Sequence, residues 1–259
     1  MTTDKTALIT GSTSGIGQGI AEIMAKNGYN IVLNGFGDID TIKALQGQLE
    51  TNGIRTSYSD ADMSKPEQIR QMVDETITKF GSIDLLVNNA GIQHVDNIEN
   101  FPDEKWDAVI AINMSSSFHT IKATIPHMQK QGSGRVVNIA SAHGLVASAK
   151  KAAYVAAKHG IVGLTKVVAL ENAESNITCN AICPGWVLTP LVQKQIDAIA
   201  ANENISIKEA EIKLLSEKQP AKKFVQVHQI GNMVKYLCSD DASTITGSSI
   251  SIDGGWTAK

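Results

Sequence analysis

Tyr154 and Lys158 are the two residues whose types and spacing most directly suggest chemistry. They lie four positions apart in the helix-compatible run 152–162, so their side chains should share one helix face. A phenol with a pKa of about 10 is a poor proton acceptor at neutral pH unless a nearby cation stabilises the phenolate. The lysine ammonium would supply that cation, and the pair predicts a general acid–base at Tyr154. Taken alone, the same spacing also occurs on solvated helix faces.

A glycine-rich turn near the start of the chain predicts a dinucleotide site. The residues TGSTSGIG at 10–17 follow a short apolar run, and helical periodicity begins immediately afterwards. Glycine lets the backbone approach a pyrophosphate closely, and the N–H groups at a helix N-terminus face the anion. The spacing GxxxGxG differs from the GxGxxG of longer dehydrogenases. An ordinary strand-to-helix turn is the alternative.

The end of the second predicted strand, 31–33, bears on which cofactor is bound. Residues 34–37, NGFG, should lie near the adenosine ribose, and no basic side chain able to bind an extra phosphate appears before Lys43. The usual acidic ribose ligand is missing as well, since Asp38 lies further along the chain. We therefore expect NAD rather than NADP. Asp62, after the third predicted strand, is expected either to contact the adenine edge or to cap the helix that follows.

Further motifs follow in a fixed order along the chain. They are NNAG at 88–91, Asn113 in the next predicted helix, Ser141 after an apolar strand, YVAAK at 154–158, PG at 184–185 and DGG at 253–255. Together with the glycine turn, this series closely resembles the short-chain dehydrogenase/reductase family. The resemblance covers essentially the entire chain and implies a Rossmann-like fold, a nicotinamide cofactor and a homotetramer.

The resemblance also implies a role for each matching residue. Tyr154 would be the acid–base, Lys158 would lower its pKa and bind the nicotinamide ribose, and Ser141 would hold the substrate oxygen. Asn113 would hold a relay water. An alcohol would become a ketone as hydride passes to nicotinamide C4 and Tyr154 takes the hydroxyl proton. The expected cofactor-binding residues are Gly11, Thr13, Gly15, Ile16, Gly17, Phe36, Asp62, Met63, Asn89, Ala90, Gly91, Tyr154, Lys158, Pro184, Gly185, Val187 and Thr189.

Polar side chains near the catalytic serine and tyrosine indicate the substrate class. Gln93, His143, Lys151 and Gln195 offer several donors, and charge-assisted hydrogen bonds to an anion are about twice as strong as neutral ones. We therefore expect a small hydroxy acid, or the matching keto acid, held by its carboxylate. The expected substrate-binding residues are Gln93, Ser141, His143, Lys151, Tyr154, Trp186, Gln195 and Trp256. The plainer alternatives are a solvated lysine, a structural histidine, uninvolved glutamines and tryptophans that only fill the core.

An alternation of strands and helices must position these residues. The predicted strands are 5–10, 29–33, 55–59, 83–88, 135–140, 177–182 and 249–252, with helical periodicity between them, as at 16–27 and 66–80. Such alternation implies right-handed crossovers and a parallel sheet covered on both faces. We expect a single α/β domain over 1–259, with a Rossmann-like doubly wound parallel sheet of about seven strands. Long helices are expected at 107–131 and 152–174.

The segment 190–220 departs from this alternation. It holds two helix-like stretches, 191–201 and 207–217, without a strand of their own. Because open α/β sheets bind ligands at the carboxyl ends of their strands, we expect this insertion to be a helical substrate lid. A surface elaboration without a function is the alternative.

Composition narrows the possible partners. The formal net charge is −3 with both signs mixed along the chain, so we expect neither nucleic acid nor a membrane surface as a partner. We expect no stretch to approach the length of a membrane-spanning helix, and Met1–Lys5 lead directly into a strand, without a secretory signal. The sparse cysteines Cys179, Cys183 and Cys238 suit a reducing cytoplasm as buried apolar side chains. The histidines have no metal-ligand spacing, so no metal is expected.

Two other functions fit part of this pattern. Reduction of a 3-oxoacyl chain on a carrier protein uses the same fold and the same catalytic tetrad of Asn113, Ser141, Tyr154 and Lys158. That activity usually goes with NADPH and with a basic surface that binds the acidic carrier protein. A non-catalytic dinucleotide sensor would not need intact Asn113, Ser141, Tyr154 and Lys158. A serine hydrolase is disfavoured because no GxSxG precedes a helix at Ser141.

Overall fold

The computed structural model describes residues 5–258, apart from the side chain of Leu191. Residues 1–4, on which the expectation about a secretory signal partly depends, and residue 259 of the expected domain lie outside the described residues. Within 5–258, seven strands form one sheet in the order β3-β2-β1-β4-β5-β6-β7, and every neighbouring pair is parallel. The strands are β1 (Thr6–Ile9), β2 (Asn30–Asn34), β3 (Thr56–Ser59), β4 (Leu85–Asn88), β5 (Gly134–Ile139), β6 (Ile177–Pro184) and β7 (Ser249–Ile252). The predicted Rossmann-like parallel sheet of about seven strands is confirmed.

Helices cover both faces of this sheet and bury its apolar side chains. The α-helices of the described chain are α1 (Gly15–Lys26), α2 (Ile39–Glu50), α3 (Pro66–Phe80), α4 (Asp103–Ile110), α5 (Ser116–Gln131), α6 (Ala152–Glu171), α7 (Pro190–Glu203), α8 (Ile207–Ser216) and α9 (Val227–Leu237). One core packs α1, α2 and α9 against one face of the sheet, and a second core packs α3, α5 and α6 against the opposite face. Because both faces are covered, the five central strands β2, β1, β4, β5 and β6 are buried at every residue, whereas the edge strands β3 and β7 are only partly buried.

The two long helices differ from their predicted bounds. Helical structure begins at Asp103 rather than 107, and a π-helical turn at Ala111–Ser115 divides it into α4 and α5. Apolar spacing does not reveal one extra residue in a turn, which is why the prediction showed a single helix. α6 ends at Glu171 rather than 174, where the Asn172 side chain donates a hydrogen bond to Val168 O at 2.9 Å.

α6 also corrects the statement that no stretch reaches the length of a membrane span. Its 20 residues, with a mean hydropathy of 1.2, are long and apolar enough by those criteria alone. However, Ala153, Ala157, Ile161 and Val168 are buried inside the protein, as in the core helix of a folded domain. Length and composition are therefore weak grounds for a membrane span here.

The insertion at 190–220 forms the predicted helical pair. Thr189 Oγ1 accepts a hydrogen bond from Val192 N at 3.4 Å at the start of α7, and a capping box of Ser206 and Glu209 starts α8. Apolar side chains of α7 and α8 pack together, and Trp186 packs against them. The pair begins just beyond the carboxyl end of β6, on the side of the sheet where the candidate site lies.

Gly17 and Gly47 provide a matched test of how tightly the first turn is packed. A Cβ at Gly17 would lie 2.3 Å from Gly11 O, whereas one at Gly47, on the exposed face of α2, would meet nothing within 4 Å. We expect Gly47→Ala to raise the free energy of unfolding by roughly 0.5–1 kcal/mol, the usual helix gain. Gly17→Ala should lower it and should weaken dinucleotide binding. Urea unfolding and fluorescence titration measure both effects, and equal behaviour of the two variants would contradict the packing argument.

Candidate active site

A cleft of about 520 Å³ lies at the carboxyl ends of the central strands. It brings together nearly all the predicted cofactor residues: Gly11, Thr13, Gly15, Ile16, Phe36, Asp62, Met63, Asn89, Ala90, Gly91, Tyr154, Lys158, Pro184, Gly185, Val187 and Thr189. Ser141 and Gln93 line it as well. Gly17 is buried beneath the turn instead of lining the cleft. The sequence motifs thus converge on one concave surface.

The glycine turn after β1 is locked to the turn after β4. Gly11 has a φ of 61°, and a Cβ there would lie 2.8 Å from Ala90 Cα, so only glycine fits. Asn89 Nδ2 donates hydrogen bonds to Thr10 O and Gly11 O, at 2.9 and 2.8 Å. Thr10 Oγ1 accepts from the backbone N–H groups of Asn89 and Ala90, both at 3.0 Å. Sequence reasoning did not single out Thr10; its place directly before the first glycine was the available signal.

Asn34 stands where an acidic ribose ligand is usual, and its carboxamide braces the cleft wall. Asn34 Oδ1 accepts from Gly11 N at 3.3 Å, and Nδ2 donates to Ser59 O and Ala61 O at 3.2 and 3.0 Å. Among the described residues that line the cleft, Lys158 is the only cation and Asp62 the only carboxylate. Apart from Lys158, which is bonded to Ile139 O, the described lining offers no basic group for the extra phosphate on the adenosine ribose of NADP.

Asp62 does not cap the following helix. The residue before α3 is Lys65, and Asp62 Oδ1 accepts instead from Ser64 N at 2.8 Å, which lowers the pKa of the Asp62 carboxyl. Because this bond goes to Ser64, which precedes α3, the capping alternative is wrong. Asp62 also lines the cleft. The contact of Asp62 with adenine stays a prediction.

Tyr154 and Lys158 lie on the face of α6 that points toward the cleft. Lys158 is 4% exposed, its Nζ donates to Ile139 O at 2.8 Å, and it lies 5.6 Å from the centre of the Tyr154 ring. Burial lowers the pKa of Lys158 to about 8. Burial also raises the pKa of Tyr154, which the hydrogen bond from Ser141 offsets only in part. The expected lowering of the Tyr154 pKa is therefore not found in the protein alone, because desolvation outweighs the effect of Ser141.

Ser141 and His143 occupy a tight turn directly after β5. His143 N donates to Ser141 Oγ at 3.1 Å, and the imidazole packs edge-on against the rings of Tyr154 and Trp256. Burial, followed by the charge of Lys151, lowers the pKa of His143 to about 4. The ring is accordingly neutral at physiological pH. Its Nδ1 lies 3.5 Å from Ser141 Oγ.

The remaining predicted substrate residues form a chain of contacts leading away from His143. Trp256 stacks on Trp186 with ring centres 6.4 Å apart, and Lys151 Nζ lies 5.6 Å from the centre of the Trp186 ring. Burial lowers the pKa of Lys151 as well. Gln195 is exposed on α7 and does not line the cleft. The structure thus joins Lys151, Trp186 and Trp256 to His143 through ring contacts, next to Tyr154, but like Gln195 these four residues are not among those that line the cleft.

Asn113 lies in the π-helical turn and holds the loop after β4. Its Oδ1 accepts from Ile92 N at 2.8 Å and its Nδ2 donates to Ile92 O at 2.9 Å. The side chain is buried and does not itself line the cleft, whereas Ile92 does. The carboxamide therefore fixes backbone beside the site, and its role toward a relay water stays a prediction.

Sequence reasoning missed a buried polar chain beneath these residues. Thr120 Oγ1 on α5 donates to Asn88 Oδ1 at 2.6 Å, Asn88 Nδ2 donates to Asn138 Oδ1 at 2.8 Å, and Asn138 Nδ2 donates to Thr165 Oγ1 on α6 at 2.9 Å. All four residues are buried. This chain of hydrogen bonds runs over the neighbouring strands β4 and β5 and connects α5 to α6, the helix that carries Tyr154 and Lys158. Polar residues among apolar positions were the only signal in the sequence.

Comparisons with known proteins agree with this geometry. The profile of a family described as enoyl-(acyl carrier protein) reductase matches residues 11–257. The chain belongs to the short-chain dehydrogenase/reductase family and is an oxidoreductase. The family and its solved structures indicate a nicotinamide cofactor.

Particular relatives are similar over their full length. The chain is 54% identical over 259 residues, 100% of both chains, to the D-beta-hydroxybutyrate dehydrogenase of Cupriavidus necator. It is 55% identical over 256 residues to the protein of that name from Rhizobium meliloti, covering 98% of this chain and 99% of the relative. Among solved structures, an actinorhodin polyketide ketoreductase with NADPH is 32% identical with a TM-score of 0.91, covering 100% of each chain.

The buried ammonium of Lys158 should give stability a characteristic pH dependence. Its pKa falls from 10.5 when unfolded to about 8 when folded. Between these values the unfolded chain binds more protons, so the free energy of unfolding should rise with pH, by up to about 3 kcal/mol from this group. Lys158→Met should remove that rise. Urea unfolding of both proteins from about pH 8 to about pH 10.5 isolates the contribution as a difference, and parallel curves would refute it.

Proposed function

We propose that the protein oxidises (R)-3-hydroxybutyrate to acetoacetate reversibly, with NAD as the hydride acceptor and Tyr154 as the acid–base. The observation that carries this proposal is the connected cluster of Tyr154, Ser141, His143 and Lys151, which adds a cation to the end of an alcohol-oxidising site. Two full-length relatives with the name D-beta-hydroxybutyrate dehydrogenase support the substrate. The substrate would enter beneath α7 and α8, which we propose to act as a lid over the site.

The cleft lining favours NAD. Lys158 is the only cation on the described lining. Asn34, at the end of β2, uses its carboxamide to hydrogen-bond Gly11 N and Ala61 O within the protein. The glycine turn at 10–17 would hold the pyrophosphate through backbone N–H groups at the start of α1. Once bound, nicotinamide supplies an electrophilic carbon that accepts hydride.

Tyr154 accepts the proton of the substrate hydroxyl, and Ser141 positions that oxygen. Because burial holds the pKa of Tyr154 high, deprotonation depends on positive charge close to the phenol. Lys158 provides such charge from over the face of the tyrosine ring and remains protonated below about pH 8. Asn113, through Ile92, keeps the backbone beside the site in place.

Lys151 is proposed to bind the substrate carboxylate, together with Gln93 at the cleft wall. Burial and the neighbouring charge of Lys218 lower the pKa of Lys151, so an arriving anion would stabilise its charged form. Both nitrogens of His143 already face hydroxyl groups, which makes Lys151 the stronger candidate for the charge contact. Gln195 would have to move with α7 to take part.

A 3-oxoacyl-carrier-protein reductase is the second candidate. The protein of that name from Staphylococcus epidermidis is 34% identical over 252 residues, covering 97% of this chain and 98% of the relative. The absence of a second basic group on the described lining and the net charge of −3 favour the first candidate. A dinucleotide sensor without activity would not require the tetrad. We further propose a cytoplasmic homotetramer with neither nucleic acid nor membrane as a partner.

A direct assay distinguishes these functions. The purified protein is given either enantiomer of 3-hydroxybutyrate, or acetoacetate, or an acetoacetyl thioester, each with the NAD and the NADP forms of the cofactor. We expect oxidation of the R enantiomer with NAD to be the most efficient reaction. A strong preference for NADPH and the thioester would favour the carrier-protein reductase, and dinucleotide binding without turnover would favour the sensor.

Tyr154→Phe tests the proton path. The phenyl ring keeps the packing against His143 but offers no atom that can take a proton. We expect turnover to fall by about 10²–10⁴-fold or more, the usual range for acid–base groups, while NAD affinity changes little. Stopped-flow turnover and calorimetric titration measure the two quantities. Turnover close to wild type would rule out Tyr154 as the acid–base.

Lys151→Met tests the carboxylate contact, with Lys150→Met as the matched control. A hydrogen bond to a charged group contributes about 1.5–3 kcal/mol, so KM for 3-hydroxybutyrate should rise by roughly tenfold or more. For an uncharged secondary alcohol of similar size, kcat/KM should stay within about twofold. Lys150 is exposed, so its replacement should leave both substrates unaffected. An equal loss with both substrates in Lys151→Met would contradict carboxylate binding.

A further inference from the structure

Ser148 lies between the Ser141 turn and α6, and nothing in the reaction described above requires it. Its Oγ lies 2.9 Å from Nε2 of His143, and the side chain is half-buried. The other ring nitrogen, Nδ1, faces Ser141 Oγ at 3.5 Å. Ser148, His143 and Ser141 thus form a line of polar groups beside Tyr154, whose ring packs edge-on against His143.

The backbone around Ser148 is fixed at both ends. Val146 N donates to Ala142 O at 3.0 Å, which closes the turn that follows Ser141. Asp96 N donates to Lys150 O at 3.0 Å, and Lys150 adopts a φ of 66°, a left-handed conformation uncommon for lysine. A Cβ at Gly144 would lie 2.9 Å from Lys158 O, so the turn packs closely on α6. The Ser148 hydroxyl is therefore held in position by the fold.

The number of hydrogens available along this line fixes its direction. His143 is neutral and carries one ring hydrogen, because burial and the charges of Lys151 and Lys218 disfavour a second. Ser141 Oγ accepts from His143 N, and its single hydrogen is the one it needs to hold the reacting substrate oxygen in the proposed reaction. Ser141 can then only accept from the ring. Nδ1 must carry the hydrogen, and Nε2 must accept from the Ser148 hydroxyl.

We propose that Ser148 is a positioning residue of the active site: by donating to His143 Nε2, it holds His143 in the Nδ1–H form and directs the Ser141 hydroxyl hydrogen to the reacting oxygen. Without this hydroxyl, His143 can adopt the opposite tautomer. Its Nδ1 would then compete with the reacting oxygen for the hydrogen of Ser141. The proposal rests on the proposed roles of Tyr154 as acid–base and of Ser141 at the substrate oxygen, but not on the identity of the substrate.

Ser148→Ala should therefore affect turnover rather than substrate binding. One neutral hydrogen bond corresponds to about a two- to tenfold change, so kcat for alcohol oxidation should fall by about that factor. The midpoint of its pH profile should move to higher pH because the phenolate loses a donor. KM should stay within about twofold. Ser148→Thr keeps the hydroxyl and should restore both the rate and the pH profile.

Two further measurements separate positioning from packing. Ser148→Ala should have no additional effect in a His143→Phe background, since both changes break the same line of hydrogen bonds. Nitrogen-15 NMR of the wild-type protein, which depends on no variant, should show the His143 hydrogen on Nδ1. The proposal fails if that hydrogen is on Nε2, if the Ser148→Ala effects add to those of His143→Phe, or if Ser148→Ala changes only KM.

These experiments can fail independently of the proposed function. The kinetic measurements use whichever secondary alcohol the wild-type protein oxidises. If 3-hydroxybutyrate is not a substrate, the proposed function fails while the tautomer measurement still tests Ser148. If 3-hydroxybutyrate is oxidised and the pH profile of Ser148→Ala is unchanged, the role of Ser148 fails alone.

Discussion

The site depends on the buried ammonium of Lys158, to which no carboxylate within residues 5–258 is hydrogen-bonded. Lys158 is held by one backbone carbonyl, that of Ile139, and by the face of Tyr154. Removing a cation from water is costly, so the groups around it must be placed accurately. That placement comes from the close packing of α6 against the sheet and the π-helical turn. Ala153 and Ala157 are fully buried, and Gly160 leaves room for Met114 beside the π-helical turn.

Burial puts stability and chemistry in opposition at this point. It lowers the pKa of Lys158 and raises that of Tyr154, so burial shifts both groups toward their neutral forms. The chemistry requires the opposite, an ammonium beside a phenolate. A site of this kind is most effective when positive charge arrives with the ligands, since the protein then does not carry a charged pair between turnovers. The cost appears as the pH dependence of unfolding, in keeping with a trade of stability for activity.

Polar connections through the core relate the catalytic elements to one another. The chain from Thr120 to Thr165 joins α5 and α6 across β4 and β5, and each side chain in it is hydrogen-bonded. Such a network favours one packing arrangement because any other leaves buried groups without partners. Asn113 fixes the loop after β4 through Ile92, and Ser148 contacts His143 in the turn after β5. Geometry at Tyr154 is thus set from several elements.

The sequence alone determined the order of the elements, the parallel sheet, the glycine turn and the pairing of Tyr154 with Lys158. These depend on local periodicity and on spacing within one helix or turn, which a linear pattern records directly. Only the tertiary structure decided the π-helical turn at Asn113, the bracing role of Asn34, the exposed position of Gln195 and the contact of Ser148 with His143. It also buried Tyr154 so deeply that the pKa of the phenol is raised in the protein alone. Each of these results depends on desolvation or on contacts between separate elements. The spacing of residues along the chain records neither desolvation nor such contacts.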